Sequence, residues 1–248
     1  MTGDEWRGTL HSKYLRFINI EHEAGYLLSI TTDHDSMHGF AILVSQGCFD
    51  RCRNRLAVGH REMTSTNAKI YIDDELCVDF RNAKIYSGSV GPCESDLPRG
   101  DVVDIFSRFA KADQSSDKSV FRRRIDEILN ESDIDFPDLS PIVGVGEGLT
   151  PSGDDFIVGA LLVESLFPDS VSIDHDTLSA NLHRTNLPGR TLLLGVLEGV
   201  FPTHAKRLAE AVCSPGNLEA AINETLGYGG SSGRDLCLGV AWSLALCD

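Results

Sequence analysis

A run of alternating glycines, followed by a serine and two aspartates, is the stretch of this sequence best suited to chemistry. It occupies residues 144–155 and reads Gly-Val-Gly-Glu-Gly-Leu-Thr-Pro-Ser-Gly-Asp-Asp. Glycines let the backbone adopt a positive φ and approach a ligand with no Cβ in the way. The adjacent carboxylates of Asp154 and Asp155 could hold a hydroxyl, an amide N–H, an ammonium group or a hard cation. We therefore assign catalytic roles to both aspartates.

The same stretch is expected to lead into the N-terminus of a helix. Thr150 at the N-cap and Pro151 at the first helical position form a strong helix start, and residues 156–167 are almost entirely apolar. Unpaired N–H groups and the helix dipole favour an anion there. The loop differs from a Walker loop because no lysine follows its last glycine. In this loop we assign substrate or anion binding to Gly146, Gly148, Thr150, Ser152 and Gly153.

A second copy of the serine-glycine-aspartate corner lies near the end of the chain. Residues 232–242 read Ser-Gly-Arg-Asp-Leu-Cys-Leu-Gly-Val-Ala-Trp, which repeats the serine, glycine, aspartate and later glycine of residues 152–162. In each copy the aspartate and the later glycine are four residues apart and share a helix face. The repeat predicts two central helices packed at Gly159 and Gly239. Their N-termini then face one site, to which the second copy contributes Ser231, Ser232, Gly233 and the catalytic carboxylate of Asp235.

Other polar groups allow two interpretations each. Arg190 follows a third loop, residues 185–189, and could bind a substrate carboxylate or phosphate, or form a surface ion pair. His34 and His38 lie among aspartates and could bind a metal, although we favour a polar turn. Residues 51–61 contain four arginines, for which we narrowly prefer a solvated helix or loop over an anion-attracting rim.

The elements that must position these groups form an α+β chain. Short apolar or alternating runs separated by turn formers predict strands, with a small barrel or sandwich as the architecture. These runs are 17–20, 26–31, 40–44, 69–72 and 76–80. Pro92, Pro98 and Gly100 then mark a break, after which the pattern becomes helical. We expect a β-rich domain over 1–98 and an α-helical domain over 99–248, with two central glycine-containing helices.

Composition limits the partners of the chain. The formal net charge of −15 comes from 37 acidic and 22 basic residues, which argues against nucleic acid or an anionic membrane surface as a partner. The longest apolar run, 156–167, is too short to span a bilayer. We expect no cofactor, although the aspartates could hold a divalent cation.

Cysteine usage and the start of the chain predict a cytoplasmic protein. The seven cysteines are an odd number without CxxC pairs, and no apolar signal segment opens the chain. Reduced thiols fit this pattern best.

The motif resembles that of a known family. Residues 146–156, the later Ser-Gly-x-Asp with its apolar helix, and the β-rich opening around 16–19 are similar to an uncharacterised bacterial domain family with a GLTPSGDD signature. Its best-known branch is the AllH-type subunit of oxamate carbamoyltransferase. That resemblance implies phosphorolysis of oxalurate to oxamate and carbamoyl phosphate during allantoin (purine) breakdown, alongside an FdrA-type subunit and a third subunit.

One position departs from the family pattern. Family members resemble Gly-His-Ser-Ser-Gly in the second loop, whereas residues 229–233 read Gly-Gly-Ser-Ser-Gly. Gly230 replaces the histidine. If that histidine is a general acid or base, its role is missing or moved in this chain.

Three functional hypotheses follow. The first is a carbamoyltransferase-like subunit, or a relative acting on a small carboxylate or ureide, that binds a small anionic metabolite such as phosphate, carbamoyl phosphate or oxamate. The second is a non-catalytic subunit that senses or presents a small metabolite. In the third, the glycines serve helix packing, and the acidic first turn only complements the helix dipole.

Overall fold

The computed structural model describes residues 5–56, 62–93, 102, 104–106, 127, 137–169 and 171–246. The chain divides into two compact units, residues 1–87 and 88–248. The first unit is β-rich and the second is helical, which confirms the α+β class. The boundary expected between residues 98 and 99 lies outside the described residues and stays a prediction.

The first unit contains a curled sheet, a half-barrel, with seven strands in the described residues. The spatial order is β4-β3-β2-β1-β5-β6-β7. Only the β3–β4 pair is parallel among these strands, and the other pairs are antiparallel. The strands are β1 (Trp6–Lys13), β2 (Phe17–His22), β3 (Tyr26–Thr31), β4 (Ala41–Leu43), β5 (Glu62–Thr66), β6 (Lys69–Tyr71) and β7 (Cys77–Asp79).

A helix, α1 (Gln46–Arg55), contributes to the core of this sheet. Its buried residues Phe49 and Cys52 join the cluster that contains Ile18, Ile20 and Ile30. The five predicted strand runs all contain strands, but β1 and β5 were not predicted. Both strands are mostly polar, and Gly8 is the only buried position of β1. They are strands because they pair with neighbouring strands, and their sequences show no apolar pattern that would predict them.

The two polar clusters of the first unit, around His34 and around Arg55, form hydrogen bonds with nearby residues of the same unit. Asp33 and His34 lie in a short 3-10 turn, where the Asp33 side chain accepts a hydrogen bond from the Asp35 N–H. His38 accepts from the Phe40 N–H at 3.3 Å, and burial lowers its pKa to about 4. Arg55 on α1 bonds Asp73 at 3.2 Å and Glu75 at 2.7 Å. No group of three or more metal-ligating side chains is arranged around a metal position in the described part of the chain.

The second unit is built from helices around one apolar core. The central helix α2 (Ser152–Leu166) is buried along most of its length. It packs mainly against α7 (Ser232–Ala245), the last helix of the described residues. In sequence, the helices between α2 and α7 are α3 (His175–Ala180), α4 (Leu187–Leu197), α5 (Thr203–Cys213) and α6 (Leu218–Leu226).

The expectation that all cysteines are reduced is wrong for one pair. Cys93 and Cys213 form a disulfide, with their Cα atoms 5.5 Å apart. The Cys93 N–H donates at 2.9 Å to the carbonyl of Leu166, the last residue of α2, and Cys213 is the last residue of α5. The two cysteines are 120 residues apart in sequence, so spacing alone could not reveal the pair. Free thiols in the described residues are Cys48, Cys52, Cys77 and Cys237.

None of the helices in the described residues is both long enough and apolar enough to cross a bilayer.

Candidate functional site

The first corner forms where the glycine loop meets α2. The helix begins at Ser152 with Pro151 at the N-cap, so the expectation that Thr150 caps the helix is wrong. The Thr150 hydroxyl instead donates to Asp155 Oδ2 at 3.1 Å and lies 3.1 Å from Ser232 Oγ. Thr150 therefore connects the first corner to the second.

The two central helices contact each other through their glycines. A Cβ on Gly159 would overlap the carbonyl oxygen of Leu236, and a Cβ on Gly239 would overlap that of Phe156. Each glycine thus lies against the residue three positions before the other glycine. This reciprocal contact agrees with the packing expected from the sequence repeat.

A second pair of glycines, Gly153 and Gly233, allows close backbone packing within each corner. The Gly153 N–H donates to the Val145 carbonyl at 2.8 Å, and the Gly233 N–H donates to the Tyr228 carbonyl at 3.1 Å. A Cβ at either glycine would overlap a carbonyl oxygen of the preceding segment. These two amides are occupied by the protein, so the structure gives Gly153 and Gly233 a packing role.

Asp154 is completely buried and both of its oxygens accept hydrogen bonds from the protein. Oδ1 accepts from the Gly144 N–H at 2.8 Å, and Oδ2 accepts from the hydroxyl of Thr185. Burial raises the pKa of Asp154, while the bonds from Thr185 and Gly144 act in the opposite direction. This carboxylate therefore joins the start of the glycine loop to the segment before α4.

Asp155 lies at the meeting point of the two corners. Burial raises its pKa to about 7, against the lowering effect of hydrogen bonds from Ser232 and Thr150. The negative charges of Asp235 and Asp154 raise it further. Asp235 is itself buried, with 1% of its surface exposed. The structure thus brings Asp155 and Asp235 together, as the repeat predicts.

The site is layered from solvent to interior. The glycine residues 146, 148, 229 and 230 are exposed. Thr150, Ser152, Ser231 and Ser232 are half-buried below them. Asp155 and Asp235 are buried beneath the hydroxyls. Positive φ values of 111° at Gly146 and 65° at Gly229 fit the prediction that the loops need glycine.

A third helix N-terminus adjoins the first loop. Asn186 caps α4 by accepting from the Gly189 N–H at 2.9 Å. Its side-chain amide also donates to the Gly148 carbonyl at 3.4 Å. The first glycine loop therefore contacts residues at the starts of α2, α4 and α7.

The arginines near the loops have partners within the protein, and ligand binding by Arg190 stays a prediction. Arg190 Nε donates at 3.3 Å to the carbonyl of Leu182, in the 3-10 turn Leu182–Arg184 that precedes α4. Arg234 follows Gly233 in the second corner, and its Nε lies 3.9 Å from Asp235 Oδ1. Arg184, which sequence reasoning missed, donates to the carbonyls of Ser140 at 2.9 Å and Pro141 at 3.4 Å. Only its position before the third loop hinted at this role.

The position that departs from the family pattern is spacious. A Cβ on Gly230 would meet no atom within 4 Å, and its φ lies outside the left-handed region. A larger side chain therefore fits here.

Comparison with protein families places this site in a known context. Residues 142–244 match the family described as oxamate carbamoyltransferase subunit AllH. The matched segment is fewer than half of the 248 residues, but it contains the glycine loop, both corners and Arg190. The resemblance found in the sequence is confirmed for this segment. No curated protein and no solved structure matched the chain.

Proposed function

We propose that this chain is a carbamoyltransferase-type subunit that binds a small anion at the glycine loop 144–155. The observation that carries the proposal is the contact between the hydroxyls of Thr150 and Ser232, 82 residues apart, which joins the two glycine corners over the buried pair Asp155 and Asp235. The family match supports a role as a carbamoyltransferase subunit. The oxalurate and phosphate reaction of that family is the specific chemistry that we propose.

Anion binding draws on groups that both corners present. The exposed loop residues Gly146, Gly148 and Gly230, together with the dipoles of α2 and α7, favour a phosphate or carboxylate. The hydroxyls of Ser152 and Ser231 add donors at the same level. We place Arg234 at the site as the cation, because it belongs to the second corner and its Nε lies 3.9 Å from Asp235 Oδ1, whereas Arg190 donates to the Leu182 carbonyl.

Buried carboxylates beneath an anion need an explanation, because like charges repel. The raised pKa of Asp155, about 7, supplies it. Near neutral pH a large fraction of this carboxyl is protonated and can donate a hydrogen bond instead of repelling the ligand. The pair Asp155 and Asp235 then offers one donor and one acceptor below the loops.

This arrangement suits carbamoyl transfer. Phosphate oxygen attacks the carbamoyl carbon, the C–N bond breaks, and the leaving nitrogen gains a proton as oxamate forms. Loop amides stabilise the oxyanion that develops on the carbamoyl oxygen, and each such donor contributes roughly 10²–10³ in rate in known enzymes. Asp155 is the proposed proton donor to the leaving nitrogen, and Asp235 accepts an N–H of the substrate.

The test is an assay of oxalurate and phosphate with the purified chain, alone and assembled with FdrA-type and third subunits. We expect carbamoyl phosphate formation in the assembly and a loss of at least 10²-fold with Asp155→Asn. Asp176→Asn, at an exposed position on α3, is the matched control and should keep full activity. Full activity of folded Asp155→Asn would exclude the proposed role.

A non-catalytic metabolite-binding subunit is the second candidate. Gly230 in place of the family histidine favours it, because a general acid or base would be missing. Isothermal titration with phosphate, carbamoyl phosphate, oxamate and oxalurate separates the two functions. Binding that persists in an assembly without turnover supports the second candidate.

A further inference from the structure

Asp154 connects two segments that are distant in sequence. Its side chain is completely buried. One oxygen accepts from the Gly144 N–H at 2.8 Å, and the other accepts from the Thr185 hydroxyl. Thr185 immediately precedes Asn186, the N-cap of α4. The carboxylate therefore spans the distance between the first residue of the glycine loop and the entrance to α4.

Close packing fixes this connection on both sides. A Cβ on Gly189 would overlap Asp154 Oδ2 and Thr185 Oγ1, and a Cβ on Gly144 would overlap the Arg184 carbonyl. Gly144 also has a φ of 74°, which a residue with a side chain rarely adopts. Both glycines leave space that the carboxylate and the neighbouring backbone occupy.

The same two segments are joined a second time. The Arg184 guanidinium donates to the carbonyls of Ser140 and Pro141, the turn that precedes Gly144. Asn186 donates to the Gly148 carbonyl further along the loop. Residues 184–186 are thus joined to the turn before the loop, to the first residue of the loop and to its later part. Thr185 is the central member, and it is the one that acts through Asp154.

We propose that Thr185 is a positioning residue for the candidate site. Through Asp154 it holds the start of loop 144–150, and the loop in turn carries the Thr150 hydroxyl to Asp155 and Ser232. Loss of the Thr185 hydroxyl leaves a buried carboxylate oxygen without this donor, which is unfavourable. The loop then either shifts away from α4 or samples open states more often. The inference rests on the proposed function only in that loop 144–150 is the ligand-binding segment.

Three variants isolate the hydroxyl. Thr185→Val removes it at nearly constant volume, and Thr185→Ala does so without placing a methyl group against the carboxylate. Thr185→Ser keeps the hydroxyl and should restore the wild-type behaviour. Thr191→Val is the matched control, because Thr191 is a buried threonine on α4 whose hydroxyl donates to the Leu187 carbonyl of its own helix.

Amide hydrogen exchange of residues 144–150 is the first readout, and the dissociation constant of inorganic phosphate is the second. We expect exchange in this loop to become about tenfold faster in Thr185→Val and Thr185→Ala, as for a lost buried hydrogen bond. Thr185→Ser and Thr191→Val should remain close to the wild type. Phosphate binding should weaken by a similar factor in the same two variants.

The outcomes separate the two proposals. Faster loop exchange with weaker phosphate binding supports the positioning role at a binding site. Faster loop exchange in a chain whose wild type binds no phosphate supports the positioning role and contradicts the anion site. Loop exchange in Thr185→Val and Thr185→Ala that equals that of Thr191→Val overturns the inference.

Discussion

The hydroxyls of Thr150 and Ser232 lie 3.1 Å apart, although 82 residues separate them in sequence. Both side chains also hydrogen bond with Asp155. The three side chains form a closed triangle of polar contacts around one carboxylate. The triangle joins the two glycine corners, so a change at one corner should affect the other.

Asp155→Asn should change how stability depends on pH. The carboxyl has an ordinary pKa of 3.8 when unfolded and about 7 when folded. Between these values the folded chain keeps the proton that the unfolded chain has lost, so the unfolding free energy falls as pH rises from about 4 to about 7. The variant lacks this titration. Its stability relative to the wild type should therefore increase over this range, by up to about 4 kcal/mol for a pKa that rises from 3.8 to about 7 on folding.

Urea unfolding at pH 4, 5.5, 7 and 8 measures this difference. Asp176→Asn, which alters an exposed aspartate, serves as the reference. A difference between Asp155→Asn and the wild type that does not vary with pH would contradict the raised pKa.

Thr150→Val should raise the pKa of Asp155 above about 7. The substitution removes one of the two hydroxyl groups that stabilise the charged carboxylate. Thr150→Ser keeps the donor and should leave the pKa near its wild-type value. NMR titration of the Asp155 side-chain carbon gives the midpoint in each protein. An identical midpoint in the valine and serine variants would show that the Thr150 hydroxyl does not support the carboxylate.

Gly159→Ala and Gly239→Ala should each destabilise the second unit. Each added methyl would overlap a backbone carbonyl of the partner helix, and overpacking of this kind costs about 1–3 kcal/mol. The two changes lie in one interface, so the double variant should deviate from additivity. Urea unfolding measures all three variants.

Gly47→Ala is the control for this pair. Gly47 lies in α1, and a Cβ there would meet no atom within 4 Å. The substitution should be neutral or stabilising by up to about 1 kcal/mol. Tolerance of alanine at both Gly159 and Gly239 would refute the tight glycine contact.

Gly230→His should fold as well as the wild type, since the position is open and needs no positive φ. In the assembled complex we expect at least tenfold faster turnover of oxalurate and phosphate, because the imidazole restores a general acid or base. Gly229→His should be strained, with a φ of 65° at that position and a cost of about 1–2 kcal/mol. A properly folded Gly230→His assembly with wild-type turnover would argue that the imidazole is not the missing group.

The local elements and the repeat follow from the amino-acid sequence alone. Apolar runs located α2 and five strands, and the matched spacing of Asp155 with Gly159 and Asp235 with Gly239 predicted that two helices meet at their glycines. These features depend on periodicity and on the conformational freedom of glycine, which are properties of neighbouring residues.

The contacts between side chains that are distant in sequence become visible in the folded chain and not before. There Thr150 bridges the two corners instead of capping α2, and Asp154 accepts a hydrogen bond from Thr185. Arg190 donates to the Leu182 carbonyl, and Cys93 forms a disulfide with Cys213. Folding also made strands of β1 and β5, whose polar sequences become strands through pairing. Contacts between residues far apart in sequence depend on how whole helices and strands pack, and local pattern does not encode that packing.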